Sequence, residues 1–419
     1  MRHLAYLVFL VLLGVAEISS AQPSMELETM IDEALSQNFE IKAFSENARA
    51  EKNKVTTQYN LSDPSIGISR LDRGLETEYL TIQQKIKFPT KYYLAGKSQK
   101  KLYQSSKNML SRSKLEIRKN IIEAYYGLYA VQKTIQLTKV NLQLVKDFAR
   151  VAEKKYAARK STQSDSMKAH FEITQLELNL LNFEQEESIL QAKISTLLGK
   201  SSFKGVSLSG LEIESPKVNF SLVPEASEEL DTKISQNSPA LLAQKNKVEA
   251  MEYKRSLAKW EFAPDFNIQY QQRISGLPED SNIFSINATI PLWFWSDSAE
   301  ASRASALANA EKFKHKNLSL KLKETIKSLK IRLEKTNKAL VVYKTTLMPQ
   351  AEGAYRTSRS AYKAGKASFL DLLDAERSLY SVKLAYYKTL SHFAKDIASA
   401  ETLLGVSISN IPGMEKAVK

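Results

Sequence analysis

Few residues in this chain have the types and spacing that chemistry needs. Leu198-Gly-Lys-Ser-Ser202 holds a Gly-Lys-Ser, but a phosphate loop also needs glycine where Ile194 stands. The segment reads better as a helix C-terminus. His170, His315 and His392 sit singly on helical stretches without the i+4 partner of a metal pair. No Gly-x-Ser-x-Gly elbow occurs, so an enzyme reading finds no support and no cofactor is implied. Asp371 and Asp374 stand three apart, which puts two carboxylates on one face of a helix. At a helix start such acids complement the macrodipole.

Composition narrows the class further. Arg2 and His3 precede an apolar run from Leu4 to Val15, and Ser19-Ser20-Ala21 offers a cleavage site, so residues 1–21 read as a secretory signal. Cys 0 leaves an exported chain without disulfides, thiolate metal sites or a lipoprotein cysteine. The net charge of +14 is spread among glutamates on helical faces, as in Lys321-Leu-Lys-Glu-Thr-Ile-Lys327, and signals solvated surface rather than nucleic acid. Gly 13 and Pro 11 are few, as suits long helices.

The elements that position these residues occur twice. Ser36-Gln37-Asn38 returns as Ser235-Gln236-Asn237, Tyr156 to Lys160 as Tyr362 to Lys366, and Leu198-Gly199 as Leu404-Gly405. One supersecondary unit is therefore used twice, over 22–199 and 224–405, with a linker at 200–223 and a tail at 406–419. Each unit opens with a short helix, about 26–60 and 224–262. A long helix follows, about 92–158 and 298–362, then a shorter one, 163–199 and 368–405. Ile326, Leu329, Leu333, Thr336, Leu340, Tyr343 and Leu347 step by threes and fours, a coiled-coil seam. Pro349 predicts a local kink in it. At 1.5 Å per residue the long helices reach roughly 100 Å, with two shorter ones stacked alongside each.

Between opening and long helices lie strand patterns, about 64–73 and 78–88, then 265–273 and 283–291. Leu80, Ile82, Ile86 and Phe88 alternate with Tyr79, Thr81, Gln83, Lys85 and Lys87. Phe266, Ile268 and Tyr270 alternate with Asn267, Gln269, Gln271 and Arg273; Phe284 and Ile286 alternate with Ser285 and Asn287. Strands apolar on one face and polar on the other suit a membrane barrel, or a half-buried hairpin on a helical bundle. Four strands cannot close in lipid, where every edge must be paired. Three copies would supply twelve, within the roughly 8–26 of outer-membrane barrels. A trimer is expected, with Lys85, Lys87, Asn267, Gln269, Gln271, Arg273 and Asn287 lining its lumen. The fold class expected is mainly α with a small membrane β part: a barrel continued by a helical tube.

These residues resemble the TolC-type outer-membrane efflux proteins, exit ducts of tripartite pumps and of some secretion systems. The likeness rests on the duplication, on Pro64, Pro89, Pro264 and Pro291, and on Tyr362-Lys-Ala-Gly-Lys-Ala-Ser-Phe-Leu-Asp-Leu-Leu-Asp-Ala375. It implies a homotrimer in outer-membrane lipid whose helical end is nearly closed at rest. It further implies a periplasmic adaptor and an inner-membrane pump as partners, met by the turns at Ala158, Arg159, Lys160, Ala364 and Gly365. Tyr362 matches a gate tyrosine, Asp165 its first-copy partner, and Asp371 and Asp374 the acidic rings of the pore, which would focus a cation-attracting field. Where such proteins carry a helix-linking arginine, this chain has Ala367; the lock is then weaker or made by Lys366. A different class, a periplasmic coiled-coil adaptor with its hairpins as docking tips, requires the strands to be water-soluble. Cargo, whether metal ion, drug or polypeptide, is not written in these residues.

Overall fold

The computed structural model describes residues 27–72, 76–159, 162–201, 205–224, 227–276 and 281–418. The expected signal segment lies outside them. Both opening helices are broken in two: α1 Leu27–Gln37 and α2 Phe39–Thr57, then α5 Ser227–Asn237 and α6 Pro239–Trp260. Asn38 caps α2 by accepting from the backbone N–H of Glu40 and Ile41, and Pro239 supplies a first helical residue that needs no N–H partner. The first long helix begins on its elbow proline, Pro89, and the second just after Pro291. Strands β1 Ser65–Asp72 and β2 Glu76–Ile86 lead into α3 Pro89–Ala157, and β3 Asp265–Ser275 and β4 Ile283–Thr289 into α7 Phe294–Val342. The returning helices are α4 Gln163–Leu197 and α9 Phe369–Leu404, and a short α10 Met414–Val418 ends the chain.

The Pro349 kink takes the form of a π-helical turn over Tyr343–Leu347, after which α8 runs Met348–Lys363. Proline at the second position of α8 cannot donate to the turn before it, and the widened turn absorbs the missing bond.

The two repeats meet in one antiparallel sheet of order β1-β2-β3-β4. Its central pairing, β2 with β3, crosses from one repeat to the other, with Thr81 opposite Gln271 and Lys85 opposite Asn267. Below the sheet α3 packs against α2, α4, α6 and α9, while α7 lies against α6 and α9. The Leu-Gly pairs and the Ser-Gln-Asn segments prove to be partners. Gly199 (φ +69) ends α4 beside the carbonyl of Gln37, and Gly405 (φ +72) ends α9 against that of Asn237. Each returning helix thus stops at the break in its own opening helix, and the side-chain amide of Asn38 donates to Leu197 O at 3.0 Å.

Two main apolar cores form among the described residues, beside a small third of Leu115, Met414 and Ala417 where α10 meets α3. The larger surrounds the middle of α3, with Ile121, Leu128, Tyr129, Ile326, Leu333, Phe393 and Ile397. The linker and the tail join there: Asn219 N donates to Ile408 O at 2.8 Å, and Gln132 donates to Val206 O at 2.8 Å. The smaller core sits at the far end of the helices, around Val145, Phe148, Leu176, Tyr362, Phe369 and Leu372. None of the described helices is long and apolar enough to cross a membrane.

Candidate functional site

Two places gather the candidate residues: the faces of the sheet and the far tip of the helices. On the sheet, pleating sends alternate residues to opposite faces, and the register aligns like with like. Gln83, Gln269 and Ser285 form one row, and Lys85, Asn267 and Asn287 the next. The polar side chains bond across strands: Gln271 Nε2 donates to Ser69 Oγ at 3.0 Å and to Thr81 Oγ1 at 3.1 Å. Tyr79, opposite Arg273, is buried on this face. The reverse face is mainly apolar, with Ile68 73% and Phe284 64% exposed beside Ile66, Ile82, Tyr270 and Ile286, and with Arg70, Gln84 and Gln272 as its polar members. Apolar area of this extent on a chain surface marks an interaction with membrane or protein.

Lys87, expected beside Lys85 in the lumen row, is exposed. It lies beyond β2, which ends at Ile86, and its backbone N–H donates to the Tyr92 hydroxyl at 3.1 Å. The elbow there is clamped by a buried cation that sequence reasoning missed: Lys91 Nζ lies 2.9 Å from Asp265 Oδ1 and 3.2 Å from Glu261 Oε2. Asp265 Oδ1 also accepts from Phe88 N at 3.0 Å, and Phe88 stacks on Trp260. First-repeat and second-repeat elbows are thereby tied.

At the far tip the chain turns twice. Arg159 takes a left-handed φ of 54° after α3, and Gly365 takes 73° after α8. Ala158, Arg159, Ala364 and Gly365 are exposed there; Lys160 lies outside the described residues. Tyr362 is not at the surface. Its ring is buried against Phe369, with Lys155 Nζ 3.9 Å from its centroid, and its hydroxyl has no hydrogen-bond partner among the described residues. Asp165 lies in the first turn of α4, half-buried.

Asp371 closes a capping box at the start of α9, accepting from Ser368 N at 2.9 Å and from Ser368 Oγ at 2.7 Å. Those bonds hold its carboxyl below the usual carboxylate range. Asp374 is exposed one turn on, 3.9 Å from Arg377 Nη1. Lys366 is exposed and makes no ion pair with another described residue. At this tip Arg377 of α9 binds Glu172 of α4. Its signal in the sequence was an arginine three residues after Asp374, on the face shared with that acid.

The chemistry-bearing fragments fall elsewhere. Gly199 of the Gly-Lys-Ser segment ends α4 in a left-handed turn, and Lys200 pairs with Glu33. His170 meets Glu153 at 2.8 Å on the surface. Among the described residues no cluster of His, Cys, Asp or Glu could hold a metal ion.

Residues 232–406 match the outer membrane efflux protein family. The cobalt-zinc-cadmium resistance protein CzcC of Cupriavidus metallidurans is 22% identical over 390 residues, covering 91% of this chain and 90% of its own. Among solved structures, the outer-membrane channel OprN superposes with a TM-score of 0.78 at 18% identity, over 92% of this chain and 91% of that one. The CmeC outer membrane channel of Campylobacter jejuni gives 0.78 at 14% identity, over 94% and 88%.

Proposed function

We propose that this chain, which belongs to the outer membrane efflux protein family, is the exit channel of a tripartite efflux or type I secretion system. It sits in the outer membrane and conducts substrates passively from periplasm to exterior. The observation that carries this is the sheet: polar on one face, apolar and exposed on the other, with β1 and β4 each paired on one side only.

In lipid an unpaired edge leaves backbone groups unsatisfied at several kcal/mol each. Edge-to-edge joining of three copies removes every edge and turns the polar rows inward. Twelve strands then surround an aqueous lumen lined by Lys85, Asn267, Gln269, Gln271, Arg273 and Asn287, and the helices continue it into the periplasm. Asp165, Tyr362, Lys366, Asp371 and Asp374 would form the periplasmic gate, and the turns at Ala158 and Gly365 the contact for an adaptor that recruits an inner-membrane pump. The exposed Ile66, Ile68, Phe284 and Ile286 weigh against a water-soluble adaptor.

Reconstitution into planar bilayers tests the reading. The mature chain should form trimeric conducting pores, and the double variant Asp371→Ala, Asp374→Ala should conduct more with weaker cation preference. A mature chain that stays monomeric and water-soluble, and leaves bilayers sealed, overturns it.

A further inference from the structure

Glu376 and Glu172 face each other inside the tip core, from α9 and α4, under Leu176, Leu372 and Leu373. Both carboxylates are buried, Glu376 to 5% exposure. Arg377 neutralises Glu172. Glu376 has no such partner of its own, and its Oε2 is without a hydrogen bond. Asn141 of α3, 4% exposed, reaches the Glu376 carboxyl in a contact that favours the ionised form, yet is too poorly aligned to satisfy either of its own amide atoms.

We propose that Glu376 is a proton-operated latch of the tip: protonated, it lets α9 lie against α3 and α8; ionised, it loosens that packing to relieve the charge beside Glu172. This rests on the exit-channel reading only in assigning the movement to a gate. An ionised Glu376 is a second buried anion beside Glu172, a cost that its contacts with Arg377 and Asn141 offset only in part.

The groups facing Glu376 from each packed element are few. From α4 comes Glu172; from α3 come Asn141 and Thr138, both uncharged. From α8 come Tyr355, whose hydroxyl is also unbonded, and Arg359 beside it. On α9 itself are Arg377, Asp374 and Tyr380, the last sharing a hydrogen with Thr138 at 2.7 Å. The nearest cation, Arg377, is engaged with Glu172 and half exposed.

Burial first, and the charge of Glu172 second, push the Glu376 carboxyl up to about 7 from an ordinary 4.5. A raised value in the packed state means that the packed tip binds the proton more tightly than an opened, solvated one. Its stabilisation is complete below about 4.5 and is lost as pH rises through about 7. Over that window the packed-to-open ratio should fall on the order of a hundredfold.

With Cys 0 the chain can be labelled cleanly. Spin labels at Lys168→Cys on α4 and Ser378→Cys on α9, both exposed, report the separation of the two helices in the detergent-solubilised full chain. A single narrow distance at pH 5 should broaden to longer distances at pH 8.5. Glu376→Gln, isosteric and permanently neutral, should stay narrow at both, while Asp147→Asn, which removes an exposed acid of α3, should follow the parent. A parent distance that is unchanged across this range, or a Glu376→Gln variant that opens like the parent, overturns the latch. Bilayer conductance rising with pH in the parent and flat in Glu376→Gln supports it as a gate. Sealed bilayers at every pH tell against the exit channel, while the label distances still decide the latch.

Discussion

Arg118 and Glu401 are each 0% exposed and 2.8 Å apart, at the level where the chain's tail returns to the helices. Arg118 also donates to Pro412 O and Ile411 O, both at 2.9 Å, and Glu401 Oε1 accepts from Ile408 N and Ser409 N, each at 3.0 Å. Every polar atom of the pair has a partner, so its removal is felt on both sides. Glu401→Ala strands a buried guanidinium and should cost about 3–5 kcal/mol, read from denaturant unfolding followed by circular dichroism. The joint replacement Arg118→Met, Glu401→Leu should cost less, because no unpaired charge remains. Asp371 shows a residue with two duties: its carboxylate caps α9 while lying beside the exposed Asp374. Ser368→Ala should cost about 1 kcal/mol of that cap and show as faster amide exchange in the first turn of α9.

At the scale of elements, each repeat is closed by a helix end pressed against a helix break. Gly405 carries a left-handed backbone, and a Cβ there would meet the Asn237 carbonyl oxygen. Gly405→Ala should destabilise by at least about 1–2 kcal/mol from backbone strain alone, lowering the thermal midpoint. The sheet offers a paired comparison. Ile286 and Gln269 lie on neighbouring strands and opposite faces. Ile286→Lys should cost about 2–4 kcal/mol if its face meets lipid and deplete the chain from the membrane fraction. Gln269→Lys, on the polar face, should insert normally and shift ion preference toward anions.

For the whole molecule, the decisive fact is a sheet that ends without closing. β1 and β4 are its two free edges. In the proposed trimer β1 of one protomer pairs with β4 of the next, so a cysteine at Gly67 combined with one stepped along Asn282 to Ala288 should, at one register, give oxidised dimers and trimers on a denaturing gel. Failure at every register would count against edge-to-edge closure. The helices set the reach: α3 runs 69 residues, roughly 100 Å at helical rise, so the tip lies far from the sheet.

Local pattern was enough for much of this. Strand alternation, the coiled-coil seam and the proline elbows depend on residues near one another in sequence, and the hydrophobic periods alone separate helix from strand. The second-repeat run from Tyr362 to Ala375 carried the family. What neighbours in sequence could not reveal was pairing over long separations: β2 with β3, Lys91 with Asp265, Arg118 with Glu401, and Glu376 with Glu172. In the sequence these charged residues look like the many others on helix surfaces. Only burial distinguishes them, and burial is a property of three-dimensional packing, which brings Arg118 and Glu401 together out of water across 283 positions.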